Sequence, residues 1–298
     1  MELRDRVAFL TGANGFVGTY VAERLRKEGM RVRALVRRPE AQRELERMGV
    51  ETVLGELTDA RALAAAVGGA HCVVHCAATP AQDLAEARRV NTESTAVLAE
   101  ASLAAGCERF VHISTIGVYP LRNREGVVEE SSPLATTGDA YTLSKAEGER
   151  AVSAAAARGL KTVIFRPAVI LGVHPSSFWG TQVPRLLAAG QFPQVDGGRG
   201  QLSYLHVSSL VEAMVLSLRT EAAVGQAFNI IDGRTLWHRY TDFFATGPLP
   251  ALTPEQAPEL LSFRGSFSVE KAQRVLGWKP RDVFDSSMAE IVRSLPKR

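Results

Sequence analysis

The sequence contains little cysteine, little net charge and no long uninterrupted apolar run. Only three of its 298 residues are cysteine. Three thiols cannot all pair within one chain, which argues against a disulfide-stapled secreted scaffold and predicts a reducing, cytoplasmic location. The formal net charge of +3 is small for this length, so we expect neither nucleic acid nor an anionic membrane as a partner.

Targeting, membrane-spanning and metal-binding patterns are equally weak. The first six residues are mostly charged, and the apolar run 7–10 after them is too short for a signal peptide. The most apolar stretch, 62–78, is interrupted by glycine and histidine, so it predicts no membrane span. Cys72 and Cys76 share a predicted strand with His71 and His75. Their Cys-x₃-Cys spacing is unusual for zinc, so we expect buried thiols and core histidines and no metal.

A glycine-rich turn follows the first apolar strand. Residues 11–18 read T-G-A-N-G-F-V-G, and a helical pattern begins inside them. Gly12 permits a tight turn, Gly15 lets the backbone approach a pyrophosphate, and Gly18 lets the helix pack close to the strand. The helix N-terminus then offers N–H groups to an anion. The turn therefore predicts a dinucleotide site, although an ordinary strand-to-helix turn has the same appearance.

Apolar strands and helical patterns alternate as far as about residue 165. This repetition predicts an α/β fold with a doubly wound parallel sheet and helices on both faces. The apolar content of 46% is enough for a substantial core. We predict a dinucleotide-binding domain over 1–170, to which 201–232 returns. A small C-terminal substrate lobe would come from 171–198 and 233–298.

Tyr141 and Lys145 are four residues apart, which places them on one face of a predicted helix. A phenol is a poor acid or base at neutral pH, and a neighbouring ammonium favours the phenolate and lowers its pKa. Such a pair can exchange a proton with a carbinol or carbonyl oxygen. The same spacing is common on helix surfaces, but here the pair follows a strand that ends in Ser114 and Thr115.

Taken together, these motifs resemble the extended short-chain dehydrogenase/reductases. That group contains nucleotide-sugar epimerases and dehydratases, 3β-hydroxysteroid dehydrogenases and dihydroflavonol reductases. The resemblance covers nearly the whole chain and implies a Rossmann-type sheet. The matching segments are T-G-x-x-G-x-x-G at 11–18, V-H-C-A-A at 74–78, Asn91, the strand 110–119 ending in S-T-x-x-V-Y, Arg166-Pro167, L-H-V at 205–207 and L-G-W-K-P at 276–280.

The resemblance implies both a catalytic set and a cofactor site. Tyr141 would transfer the proton, Lys145 would bind the nicotinamide ribose, and Thr115 would orient the substrate oxygen. The cofactor would carry the hydride. The implied cofactor-binding residues are Gly12, Asn14, Gly15, Phe16, Val17, Gly18, Arg37, Arg38, Glu56, Leu57, Cys76, Ala77, Ala78, Asn91, Ser114, Tyr141, Lys145, Arg166, Pro167 and Val169.

The end of the second predicted strand favours NADP over NAD. An NAD site usually places Asp or Glu there for the ribose 2′-hydroxyl, whereas arginine suits a 2′-phosphate. This chain has Arg37 and Arg38, although both could simply be solvated. Gly55-Glu56-Leu57 resembles the family's G-D-L segment near the adenine.

Two departures from the family pattern decide which branch we favour. Ile116-Gly117 replaces the acid pair of the dehydratases, and 201–204 lacks the arginine that commonly holds a nucleotide-sugar diphosphate. Arg199 and Arg234 leave phosphate binding open. Aromatic residues of the lobe would form either an apolar pocket or the lobe's own core; they are Phe178, Trp179, Phe192, Trp237, Phe243 and Phe244.

The leading hypothesis is an NADP-dependent oxidoreductase acting on a carbonyl/alcohol pair of a small, fairly apolar molecule. An NAD-dependent nucleotide-sugar epimerase is the first alternative, and a non-catalytic NADP-binding sensor is the second. A small-molecule substrate is the expected partner, and a homodimer is one assembly that the sequence allows.

Overall fold

Residues 1–122 and 124–295 are described by the computed structural model. Asn123 and the last three residues of the predicted lobe segment 233–298 lie outside the described residues. The strands are β1 Val7–Thr11, β2 Arg31–Val36, β3 Glu51–Leu54, β4 Cys72–His75, β5 Arg109–Ile113, β6 Val127–Val128, β7 Thr162–Pro167, β8 Val169–Leu171, β9 Gln194–Val195, β10 Gln201–His206, β11 Gln226–Ile230, β12 Gly233–Leu236, β13 Ala251–Leu252 and β14 Ser266–Phe267.

Helices follow most of these strands. The α-helices are α1 Phe16–Lys27, α2 Pro39–Arg47, α3 Ala60–Val67, α4 Leu84–Arg88, α5 Ser94–Ala104, α6 Ala140–Ala157, α7 Val183–Ala188, α8 Val207–Arg219, α9 Trp237–Thr241, α10 Glu259–Ser262, α11 Glu270–Leu276 and α12 Phe284–Ser294. Within the described residues, none is both long and apolar enough to cross a membrane.

Seven parallel strands form the central sheet, in the order β11-β7-β5-β4-β1-β2-β3. All residues of β1, β4, β5 and β7 are buried, as expected for strands covered by helices on both faces. Apolar clusters fill the space on each side of the sheet. The predicted α/β, Rossmann-type fold is confirmed.

The carboxyl-terminal part of the chain contributes both to this sheet and to smaller ones. β11 pairs with β7 at the edge of the central sheet. β10 instead pairs in parallel with β8 and antiparallel with β12 in a separate three-stranded sheet. A third apolar cluster, which includes Tyr204, Trp237 and Phe284, packs around that small sheet. The boundaries of the substrate lobe stay a prediction.

The helical segment from Leu84 to Ala104 is not regular throughout its length. A π-helical turn, Arg89–Glu93, separates α4 from α5. At this turn, Thr95 Oγ donates to the Asn91 carbonyl oxygen at 2.7 Å. α6 also packs very close to this turn, since a Cβ on Gly148 would lie 2.6 Å from the same oxygen. Wide turns of this kind occur frequently at functional sites.

Candidate functional site

The glycine turn lies at the carboxyl end of β1 and is built by close backbone contacts. Gly12 has φ +71°, and a Cβ there would lie 2.8 Å from the Ala77 nitrogen. A Cβ on Gly18 would lie 2.0 Å from the Gly12 oxygen. Gly15 donates its N–H to that oxygen at 2.9 Å and is the N-cap of α1. Because Gly15 has no side chain, the first-turn N–H groups of α1 remain available to a phosphate.

Other residues implied as cofactor ligands gather at the same edge of the sheet, because parallel strands all end there. Asn14, Arg37, Arg38, Glu56 and Ala78 are exposed, whereas Phe16, Val17, Leu57, Cys76 and Ala77 are partly buried. Neither Arg37 nor Arg38 forms an ion pair with any described residue. These features fit a dinucleotide whose anionic groups meet backbone N–H groups and free guanidinium groups.

Lys145 is buried at the carboxyl end of β5. Its side chain is 2% exposed, and its ammonium donates to the Ile113 carbonyl oxygen at 2.6 Å. Asp139 caps α6 by accepting from the Thr142 N–H at 2.7 Å, which fixes the start of the helix. Burial lowers the pKa of Lys145 to about 8, against the opposing effects of the Glu149 and Cys76 side chains. A lysine with this pKa is still mostly protonated at neutral pH.

Tyr141 lies one turn before Lys145 and is partly buried. Burial, and then the Asp139 carboxylate, raise the pKa of Tyr141 to about 12. The predicted lowering of this pKa by Lys145 is therefore wrong for this arrangement, because the ammonium is directed to the Ile113 carbonyl. At neutral pH the phenol is protonated, which is the form that can donate a proton.

Ser114 and Thr115 directly follow β5. The Thr115 Oγ accepts from the Gly117 N–H at 3.1 Å, so its lone pairs are partly used while its O–H remains a donor. The Ser114 hydroxyl is buried and has no hydrogen-bond partner among the described residues. The short 3-10 turn that follows, Ile116–Val118, packs against α6, so Thr115 lies beside the helix that carries Tyr141.

Asn91 connects the β4 edge to the helix of Tyr141 and Lys145. Its Oδ1 accepts from the Thr79 N–H at 2.8 Å, and its amide nitrogen donates to the Thr79 oxygen at 2.9 Å. The same nitrogen donates to the Ser144 hydroxyl at 3.0 Å. These three hydrogen bonds join the segment after β4 to α6, and the role of Asn91 as a cofactor ligand stays a prediction. Ser144 was not among the predicted site residues, and its position directly before Lys145 is the only feature of the sequence that points to it.

Arg166 is buried and engaged by other side chains. Its Nη2 donates to Glu149 Oε2 at 2.6 Å and its Nε to Glu149 Oε1 at 3.0 Å. Its Nη1 donates to the Tyr119 hydroxyl at 2.7 Å, and that hydroxyl donates to Asn229 Oδ1 at 2.7 Å. Pro167 and Val169 are buried at the adjoining strand ends. Glu149 was not among the predicted site residues, although it lies four residues after Lys145 on the same helix.

The histidine and cysteine cluster is used for packing. His75 Nδ1 lies 2.7 Å from the Thr11 hydroxyl oxygen, and its Nε2 lies 2.8 Å from that of Thr95. Burial, and then the charge of Lys145, lower the pKa of His75 to about 3, so the ring is neutral. Within residues 1–122 and 124–295, no group of three or more His, Cys, Asp or Glu side chains is placed to hold a metal.

Most of the aromatic side chains in the predicted lobe segments 171–198 and 233–298 pack into the apolar cluster around the small sheet. Trp237, Tyr240 and Phe244 are buried together, whereas Phe178 and Phe243 are each 44% exposed. Leu202, in the stretch where nucleotide-sugar enzymes commonly carry an arginine, is fully buried in the same cluster. Arg199 bonds to Asp196 on the surface, and Arg234 is exposed on β12.

Comparison with known proteins places these features in one family. The model of the NAD dependent epimerase/dehydratase family matches residues 8–230. A farnesyl-dihydroquinoline-oxide ketoreductase of Stigmatella aurantiaca is 33% identical over 231 residues, covering 76% of this chain and 68% of its own. A decarboxylating sterol-4-alpha-carboxylate 3-dehydrogenase of Dictyostelium discoideum is 28% identical over 250 residues, covering 79% and 75%.

Solved structures with the same fold are numerous. One of them is MoeE5 in complex with UDP-glucose and NAD. It superposes with a TM-score of 0.79 and 26% identity, covering 96% of this chain and 97% of that chain. The relatives therefore include proteins named for ketone or sterol chemistry and proteins that bind a nucleotide sugar.

Proposed function

Because the chain belongs to the NAD-dependent epimerase/dehydratase family, we propose that it is an NADP-dependent oxidoreductase that interconverts a carbonyl and an alcohol. Its substrate would be a small, fairly apolar molecule. The observation that carries the proposal is the buried Lys145 ammonium, held at the end of β5 one helical turn after Tyr141 and close to the strand end that bears Thr115. That is an arrangement for moving one proton at a substrate oxygen.

Each side chain has a definite task in the reducing direction. NADPH would supply the hydride when it is bound. Thr115 donates a hydrogen bond that orients the carbonyl oxygen, and Tyr141 gives its phenolic proton to that oxygen as negative charge develops there. The Lys145 ammonium, with its three N–H donors, would hold the ribose hydroxyls. Asn91 donates to the Ser144 hydroxyl and so holds in place the turn of α6 that carries Tyr141 and Lys145.

Arg37 and Arg38 support NADP. Both are exposed at the end of β2, the place where a dinucleotide-binding sheet meets the adenosine ribose. A guanidinium group matches a phosphate through paired, charge-assisted hydrogen bonds. The comparison structure contains NAD, so the preference for NADP rests on these two residues.

An apolar substrate is supported by Leu202 and by the named chemistry of two relatives. A diphosphate needs cationic side chains around it, and the buried Leu202 puts an apolar side chain in the stretch where such a cation is common. Ile116 and Gly117 provide no acid to protonate a leaving hydroxyl. The relatives named above act on a farnesylated quinoline oxide and on a sterol, and both are largely hydrocarbon.

Replacing Tyr141 with phenylalanine tests the proposal. Turnover of an apolar ketone, found by screening with NADPH, should fall by about 10²-fold or more, because the proton donor is removed. NADPH affinity should stay nearly unchanged. Tyr20→Phe is the matched control, since its hydroxyl bonds to the Val173 carbonyl oxygen outside the catalytic set. A Tyr141→Phe variant that keeps most of the parent kcat would contradict the assignment, and NADPH binding without any turnover would favour the sensor.

A nucleotide-sugar epimerase is the second candidate, because MoeE5 binds UDP-glucose in a closely similar fold. Calorimetry with UDP and with dTDP, at saturating NADPH, separates the two. We expect only weak binding, since Leu202 is apolar and Arg199 is tied to Asp196. Micromolar binding of either nucleotide would promote the epimerase.

A further inference from the structure

A buried ion pair lies one helical turn beyond Lys145. Glu149 is 1% exposed, and three hydrogen bonds join its carboxylate to Arg166, at 2.6, 3.0 and 3.1 Å. Residues four apart on a helix are neighbours on one face, so the carboxylate lies on the Lys145 side of α6. Arg166 approaches from β7 and is itself held by the Tyr119 hydroxyl. Glu149 therefore has very little freedom to move away.

The surroundings of Lys145 otherwise do little to favour a positive charge. His75 on β4 and His112 on β5 both interact with Lys145, and burial, assisted by that charge, lowers the pKa of each. Cys76, after β4, has a pKa raised to about 12 by burial and is a neutral thiol. Tyr141, on α6, is a neutral phenol at neutral pH. Glu149 is the anionic group acting on Lys145 from its own helix, with Arg166 beyond it.

We propose that Glu149 is a positioning residue whose carboxylate, clamped by Arg166, keeps the buried Lys145 side chain in its ammonium form beside Tyr141. The inference rests on the role proposed for Lys145 in the reaction. A neutral amine would not hold ribose hydroxyls as three charged donors do. Arg166 restrains the carboxylate and leaves it negative, because a guanidinium group does not give up its proton to it.

A structural role alone makes a different prediction. If the pair only joins α6 to β7, removing its charge changes stability and leaves the ionisation of Lys145 untouched. A measurement on the lysine itself therefore separates the two roles. The chain has six lysines, so ¹³C-labelled lysine side chains give few NMR signals, and the loss of one signal in Lys145→Arg assigns the residue of interest.

The experiment compares the NMR titration of Lys145 in the parent and in Glu149→Gln, without cofactor. Glutamine keeps the size of the side chain and one acceptor oxygen for Arg166. We expect the pKa of Lys145 to fall by about one unit in the variant, because a buried charge one turn away has been removed. The basic limb of the pH profile of kcat/KM should move to lower pH by the same amount, while Glu149→Asp should restore most of the parent behaviour.

Glu147→Gln is the matched control. It removes the same charge from the same helix, but Glu147 pairs with Arg88 on the solvent side. The Glu147→Gln variant should leave the Lys145 titration unchanged.

If Glu149→Gln does not fold, a second variant combines it with Arg166→Met and so removes both charges of the pair. Such replacements of buried ion pairs usually fold. An unaltered Lys145 pKa in either Glu149 variant overturns the proposal. So does a parent Lys145 that is already neutral at pH 7.

The titration needs no substrate. The proposed function is tested by the turnover of Tyr141→Phe, whereas this inference is tested by a proton on Lys145. Either can fail while the other stands.

Discussion

Burying an ammonium group makes Lys145 a source of instability, and replacing it with methionine should stabilise the protein at pH 7. Burial lowers the lysine pKa from 10.5 to about 8. A difference of that size corresponds to about 3 kcal/mol of unfavourable free energy in the folded state. Methionine has a similar volume and no charge, but it leaves the Ile113 carbonyl oxygen without its donor, which costs about 1 kcal/mol. The expected net gain in the free energy of unfolding is about 2 kcal/mol.

The dependence of this gain on pH provides the sharper check. Below about pH 8 Lys145 is protonated in both the folded and the unfolded chain, so the whole penalty is present. Between about pH 8 and 10.5 the folded protein loses the proton first, so the parent gains stability relative to the variant. Urea denaturation of both proteins at several pH values from 7 to 10 measures this difference. A methionine variant no more stable than the parent at pH 7, or an advantage that stays constant up to pH 10, would refute the reasoning.

Two further predictions concern the cofactor edge. Arg37→Ala should weaken NADPH binding by roughly tenfold or more, because one charge-assisted contact to the 2′-phosphate is lost, and should leave NADH binding nearly unchanged. Fluorescence titration with both cofactors measures these affinities. Equal affinities of the parent protein for NADPH and NADH would contradict the prediction. Gly18→Ala should reduce stability by about 1–3 kcal/mol and weaken NADPH binding, because the new Cβ would lie 2.0 Å from the Gly12 oxygen. Gly247→Ala is the control, because a Cβ on Gly247 would meet no atom within 4 Å. Thermal unfolding compares the two variants, and equal melting temperatures would count against close packing of the glycine turn.

Much of the fold follows from local patterns in the sequence. β1 begins with the apolar run 7–10, and α1 begins inside the glycine turn 11–18 as predicted. Asp59 caps α3, with its carboxylate accepting from the N–H groups of Arg61 and Ala62. These features depend on apolar runs and on one capping residue, which a local pattern contains. The π turn at Arg89–Glu93 lies against Gly148, which belongs to a helix more than fifty residues away. Distant contacts of that kind leave little trace in a local pattern.

The candidate site shows the same division. The glycine turn and the spacing of Tyr141 and Lys145 predict where the chain can bind an anion and exchange a proton. The direction of the Lys145 ammonium could not be predicted, because it is set by the Ile113 carbonyl oxygen on another strand. The pairing of Arg166 with Glu149 was missed for the same reason, since a motif identifies a residue and says nothing about its partner across the core.

The π turn between α4 and α5 also limits how this region can be engineered. A π turn accommodates one residue more than a regular α-helical path between the same ends. Deleting a single residue within Arg89–Glu93 would therefore give a regular helix and keep α4 and α5 in their present register. The buried positions of α5, such as Leu98 and Ala99, would still face the sheet, whereas a deletion inside α5 itself would rotate the residues beyond it by about 100°. A deletion scan through 84–104 should therefore find more folded protein for deletions at the turn than for deletions inside α5.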